Sequence, residues 1–204
     1  MSYFNHLEKF KKNVALITSN EILTYEELLI CSNQISQNIK KRSLIMLVCR
    51  NSLESIIGYV SFVRSNCVVL LFDNKLTEHD FKKIINNFDP DYIFLNKKKF
   101  SCKINFKSIY DFRSYELLQN KKKKLKTLYH ELALLMPTSG SMGDSKFVKQ
   151  SYKNITCNIE QINDFLKIKS FDRTITTMPM NYTYGLSIIH THLFKGASIV
   201  MTEE

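Results

Sequence analysis

Four short runs in this chain are almost wholly apolar and rich in Val, Ile, Leu or Phe: Leu44–Cys49, Cys67–Phe72, Tyr92–Leu95 and Leu132–Met136. None alternates with polar residues, as a strand with one wet face must. The pattern suits strands buried on both faces, which is the condition of a parallel sheet covered by helices. Between the runs lie segments of helical period. Thr24-Tyr25-Glu26-Glu27 reads as a capping box, followed by Leu28, Cys31, Ile35 and Ile39 on one face. Asn51 with Glu54 is placed to open a second helix through Val63, and Thr77 with Asp80 a third carrying Phe81, Ile84, Ile85 and Phe88. Asp89-Pro90 should end that third helix, because proline disfavours helical geometry in the residue before it. A fourth helix is expected from about Ser151, with Ile155, Ile159, Ile162 and Leu166 facing inward. Strand and helix in alternation predict an α/β fold with a mainly parallel sheet layered with helices. Residues 97–128 are less regular and hold one candidate short strand, Lys107–Tyr110, and a basic linker near residues 119–128.

The 204 residues are enough for one domain with a sizeable core. The most apolar stretch, Ile56–Phe72, is cut by Arg64, Ser65 and Asn66, so no membrane span is expected, and the N-terminus lacks the apolar segment of a secretory signal. The expected location is the cytoplasm. Five cysteines lie far apart without metal-ligand spacing and read as buried free thiols. The net charge of +10 comes mostly from lysines spread along the chain, and arginine, the preferred base reader, is scarce. The single dense cluster, Lys121-Lys122-Lys123-Lys124-Leu125-Lys126, reads as a solvated linker. No nucleic-acid partner is expected, and the oligomeric state is open.

The chemistry concentrates in Leu134-Leu135-Met136-Pro137-Thr138-Ser139-Gly140-Ser141-Met142-Gly143-Asp144-Ser145-Lys146-Phe147-Val148. An apolar strand enters a turn of small hydroxyl residues and two glycines, and a lysine leads into a second strand. Gly140 and Gly143 permit backbone angles that aim several amide N–H groups at one point. Thr138, Ser139 and Ser141 add uncharged donors, and Lys146 adds a cation. Together these suit a polyphosphate. The order of residues is not that of a Walker loop, where Gly-Lys-Ser/Thr opens a helix, so the helix dipole takes no part.

This loop resembles the phosphate-binding motif of the ANL superfamily of adenylate-forming enzymes, Thr-Ser-Gly-Ser/Thr-Thr-Gly-x-Pro-Lys-x-Val. Thr138, Ser139, Gly140, Ser141, Gly143, Lys146 and Val148 match it. Met142 and Ser145 depart from it: the first removes one hydroxyl, worth ~1 kcal/mol of binding, and the second loosens the loop relative to proline. Leu23-Thr24-Tyr25-Glu26-Glu27-Leu28 is similar to the superfamily's early Thr-Tyr-x-Glu-Leu segment. Met178-Pro179-Met180-Asn181-Tyr182-Thr183-Tyr184-Gly185-Leu186 is similar to its Leu-Pro-x-x-His-x-x-Gly-Leu motif, with Tyr182 in the histidine position. Lys195–Val200 fits the strand that follows. His190 and His192, two apart on a helix, face different ways and are not expected to share a metal.

The resemblance implies an ATP-dependent ligase that activates a carboxylic acid as its adenylate, with Mg²⁺ on the nucleotide. A thiol of CoA or of a carrier-protein pantetheine then accepts the acyl group, so an acyl carrier protein is a candidate partner. It implies that Thr138, Ser139, Gly140, Ser141, Gly143 and Lys146 hold the triphosphate, and that Tyr182, Tyr184 and Gly185 border the acid's carboxylate. The superfamily's adenine and ribose contacts, its magnesium-binding acid and the lysine of its C-terminal domain have no counterpart in residues 1–204, and no catalytic residue is assigned. The expectation is therefore a partial AMP-binding domain with the C-terminal domain absent, for which activity of the 204 residues alone is not expected. The alternative is a non-catalytic remnant or phosphate-binding module.

Overall fold

A computed structural model describes residues 3–100, 105–122, 127–138 and 146–202. After a 3-10 turn at Leu7–Phe10 the elements are β1 (Val14–Ile17), β2 (Ile22–Thr24), α1 (Tyr25–Ser36), β3 (Leu44–Cys49), α2 (Leu53–Arg64), β4 (Val68–Asp73), α3 (Glu78–Phe88), β5 (Tyr92–Asn96), β6 (Phe106–Phe112), β7 (Tyr115–Asn120), β8 (Leu132–Pro137), β9 (Phe147–Ser151), α4 (Tyr152–Leu166), β10 (Arg173–Ile175), α5 (Thr183–Lys195) and β11 (Ser198–Val200). They form two sheets. The larger has the order β6-β7-β5-β3-β4-β8-β9, the smaller β10-β11-β1-β2.

The four apolar runs are the parallel centre of the larger sheet, β5-β3-β4-β8. Its flanks are antiparallel: β7 and β6 form a hairpin beside β5, and β9 folds back on β8. All six residues of β3 are buried. Their alternation feeds two cores. Ile45, Leu47 and Cys49 join Val69 and Leu71 of β4 on one face. Leu44, Met46 and Val48 join Val68, Leu70 and Phe72 on the other, where Phe81 and Ile84 of α3 cover them. The first core is the larger. It reaches the smaller sheet through Leu16 and Ile199, and includes α1, α2, α4 and α5. Ten of the twelve residues of α2 are buried, so this helix is central to the layer.

The helix starts follow local chemistry. Thr24 Oγ1 accepts from Glu27 N while Glu27 Oε2 accepts from Thr24 N, completing the capping box. Thr77 accepts from Asp80 N, and Ser151 forms a second capping box with Asn154. Asp89 closes α3 in the left-handed conformation (φ 45°) ahead of Pro90. Gly196, at φ 74°, closes α5 and turns the chain into β11; a Cβ there would lie 2.4 Å from the Phe10 ring.

Several details differ from the sequence reading. Asn51 does not cap α2; Ser52 does, accepting from Ser55 N. Leu166 is exposed and Ile162 half-buried, because the last turn of α4 runs past the core. Of the cysteines, Cys49 and Cys67 are buried, Cys31 is half-buried and Cys157 is exposed, while Cys102 lies outside the described residues. Gln119 and Asn120, at the start of the expected linker, close β7.

Candidate functional site

The hydroxyl-rich turn joins β8 to β9. Thr138 N donates to Lys146 O at 2.9 Å, closing the hairpin one step beyond the Pro137–Phe147 pair. Thr138 and Lys146 are both exposed at this end, with no helix after them to lend a dipole. Ser139, Gly140, Ser141 and Gly143 lie outside the described residues.

The second motif forms the turn into α5. Met180 is fully buried, Tyr182 N donates to Pro179 O at 3.1 Å, and Leu186 N donates to Tyr182 O at 2.9 Å. Gly185 sits directly over this turn. A Cβ at that position would lie 2.3 Å from Pro179 O and 2.7 Å from Met178 O, so glycine is required by the approach of two backbones. Tyr182 and Tyr184 are largely exposed.

One cleft of about 650 Å³ joins the two motifs. Met136 and Lys149 of the hairpin, Asn154 and Ile162 of α4, and Tyr184 and His190 of α5 line it. Tyr184 is thus brought to the cleft; Thr138, Lys146, Tyr182 and Gly185 are not among its walls. No aspartate or glutamate is among the described residues that line it.

Two residues of this region carried no assigned function in the sequence. Asn51, at the carboxyl end of β3, is buried and clamps the second motif. Its Nδ2 donates to Thr176 O (3.1 Å) and Met178 O (3.2 Å), and its Oδ1 accepts from Met180 N (3.1 Å). The available signal was an Asn two residues past a buried parallel strand, the end at which α/β sheets build their sites. His190 forms part of the cleft wall, with Nε2 2.8 Å from Tyr59 Oη, which lies 2.7 Å from Tyr3 Oη. Burial pushes its pKa down to about 3, so the imidazole is neutral. Burial likewise raises the Tyr59 and Tyr3 phenols, the latter helped by its tyrosine neighbours, and both keep their protons. His192 faces elsewhere, its Nδ1 donating to Ile188 O at 2.9 Å. Among the described residues no group of three or more His, Cys, Asp or Glu side chains is placed to hold a metal ion.

The fold is that of a helix-layered α/β protein with a cleft between the β8–β9 hairpin, α4 and α5. The chain belongs to the AMP-binding enzyme family, whose model matches residues 3–204, and so to the ANL superfamily of adenylate-forming enzymes. It is 24% identical to bacitracin synthase 2 of Bacillus licheniformis over 86% of its own length and 7% of the relative's. To a D-alanine–D-alanyl carrier protein ligase of Staphylococcus aureus it is 20% identical, over 95% of this chain and 40% of that protein. The structure superposes on the O-succinylbenzoate coenzyme A synthetase MenE of Bacillus subtilis, solved with ATP and magnesium ion, with a TM-score of 0.73 and 17% identity, covering 98% of this chain and 56% of that one. The chain thus spans well under half the length of the curated relatives it matches. No helix among the described residues is long and apolar enough to cross a membrane.

Proposed function

We propose that this chain is the amino-terminal part of an ATP-dependent carboxylate-activating ligase, and that it contributes the triphosphate loop and one side of the acid site. The observation that carries the reading is the convergence of the two motifs on one cleft. The β8–β9 hairpin that bears the turn supplies Met136 and Lys149, and the second motif supplies Tyr184. A carboxylate held in this cleft would share the β8–β9 hairpin with the phosphate motif, which favours attack on a nucleotide's α-phosphate. The gain comes from positioning and from neutralised phosphate charge.

In this reading the Thr138 hydroxyl and Lys146 ammonium, at the two ends of the turn, would hold the nucleotide's triphosphate together with Ser139, Gly140, Ser141 and Gly143. The set suits an anion: an exposed ammonium, which can only donate, and an exposed hydroxyl able to donate beside it. Mg²⁺ arrives on the nucleotide and supplies further neutralisation of its charge when bound. Tyr182 and Tyr184 border the acid, with Gly185 allowing the turn to pack. The acyl-adenylate passes to a thiol, of CoA or of a carrier-protein pantetheine, acceptors that the names of the Bacillus and Staphylococcus relatives also carry.

The test is carboxylate-dependent exchange of labelled pyrophosphate into ATP, run with the protein as its gene expresses it. Exchange that requires an acid and falls at least tenfold in Lys146→Ala supports the reading. Failure of every acid in a broad panel, with a folded sample, refutes it.

A further inference from the structure

His190 is 4% exposed, and its one described hydrogen-bonding nitrogen is Nε2, turned to Tyr59 (2.8 Å) and more distantly to Tyr3 (3.5 Å). Nδ1 makes no hydrogen bond among the described residues, and it is not among the sealed polar atoms left without partners. It is therefore reached from the cleft that His190 helps to line. An unpartnered ring nitrogen in so buried a side chain is costly unless a ligand or water completes it.

The proton on this ring can be placed. A phenol is a strong donor and a weak acceptor, and an unprotonated imidazole nitrogen is a strong acceptor, so Tyr59 Oη–H donates to Nε2. Tyr59 Oη, at 2.7 Å from Tyr3 Oη, accepts in turn from Tyr3. The proton of the neutral ring then resides on Nδ1, where it points into the cleft as a donor. The one charged group among the described residues of the cleft wall is Lys149, again a donor, and no carboxylate among them matches a cation.

We infer that His190 Nδ1–H is a specificity-determining donor of the acid site, and that the acid it selects carries an oxygen acceptor on its body, such as a hydroxy, keto or second carboxylate group, in place of the ammonium of an amino acid. This rests on the ligase reading for its setting and names the substrate class of the same cleft. An ammonium in the cleft would meet only neutral amide and hydroxyl acceptors beside the Lys149 cation, and among the described residues no carboxylate to replace its hydration with a counter-charge. An acid without a polar substituent would leave Nδ1–H unpaired.

Three probes of similar size separate these cases: lactate, propanoate and D-alanine, titrated into the full chain and followed by calorimetry. Lactate is expected to bind roughly five- to tenfold more tightly than propanoate, and D-alanine more weakly than either. In His190→Leu the advantage of lactate over propanoate disappears, and in Tyr59→Phe it shrinks, because the ring loses the donor that fixes its tautomer. Nitrogen-15 spectra of histidine-labelled wild-type protein are expected to show His190 protonated on Nδ1 and perturbed by lactate. That readout stands even where a variant fails to fold. D-alanine binding as tightly as lactate, an Nε2-protonated ring, silence of the His190 signals to all three acids, or a lactate advantage that survives in a folded His190→Leu each overturns the inference. Pyrophosphate exchange driven by D-alanine and not by lactate refutes it while leaving the ligase reading intact. Lactate binding at His190 without exchange for any acid does the reverse.

Discussion

Asn51 makes three hydrogen bonds from one buried side chain to the segment that leads into α5, and removing them should loosen the second motif as a unit. In Asn51→Ala, Met180 N–H loses its partner inside a fully buried turn, at ~1–3 kcal/mol. Thr176 O keeps a bond from Thr202 Oγ1, so the loss there is small, whereas Met178 O forfeits a bond worth ~1 kcal/mol. Together these come to roughly 2–4 kcal/mol. For a chain of this size ~3 kcal/mol lowers Tm by roughly 6–12 °C. Asn51→Asp is the sharper variant. It keeps an acceptor for Met180 N–H but turns a second oxygen toward two carbonyls, so it should destabilise at least as much as alanine. The assays are urea unfolding and amide exchange over residues 176–186, which should quicken more than exchange in β3. An Asn51→Asp protein within ~0.5 kcal/mol of wild type, or unchanged exchange in this segment, would refute the clamp.

Gly185→Ala should cost about 3 kcal/mol, at the upper end of overpacking, because both atoms that its Cβ meets belong to the backbone; urea unfolding measures it, and a loss under ~1 kcal/mol contradicts the geometry. Lys146→Ala should leave Tm unchanged, since the residue is exposed, yet weaken MgATP binding about tenfold by calorimetry; equal affinity would remove Lys146 from the phosphate site. His190 is held neutral with a pKa of about 3, so the unfolded chain binds its proton first as pH falls. Its contribution is fully present above pH ~6.5 and is lost progressively between pH 6.5 and 3, roughly 2 kcal/mol by pH 5. Urea unfolding at pH 8 and pH 5 should show that loss in wild type and a reduced one in His190→Gln; an equal loss in both would mean that the ring is not buried neutral.

The parallel centre of the large sheet was legible because each of its strands is buried on both faces and so reads as an unbroken apolar run. The edges were harder. β7, Tyr-Glu-Leu-Leu-Gln-Asn, holds a buried Glu116 and ends in polar residues, and β6 alternates only loosely, so neither shows a clean period. The smaller sheet was the least visible. Its strands are three or four residues long, and β1 pairs with β11 across more than 180 positions of sequence, a contact that no local pattern encodes.

The site divides along the same line. Loop chemistry is local, so Thr138 and Lys146 could be put forward from the residue types of the loop, whereas Gly185 was named through the resemblance and its close backbone contacts emerge only in the fold. Asn51 and His190 act through partners far along the chain. Asn51 resembled a helix cap because an Asn before Glu54 is what a cap looks like, and only the packing of β3 against residues 176–180 turns its amide elsewhere. His190 was legible only as one of a histidine pair, because the burial that neutralises it and the phenol that orients it come from Tyr59 and Tyr3. The same three residues explain why the N-terminal turn is tied to the cleft. Tyr3 and Phe4 are buried against Tyr59 and His190, so these two residues belong to the wall behind the cleft. Trimming them would remove the Tyr3 phenol from Tyr59 and allow water to reach Nε2. The ring would then lose its fixed tautomer, even though no residue that lines the cleft had changed.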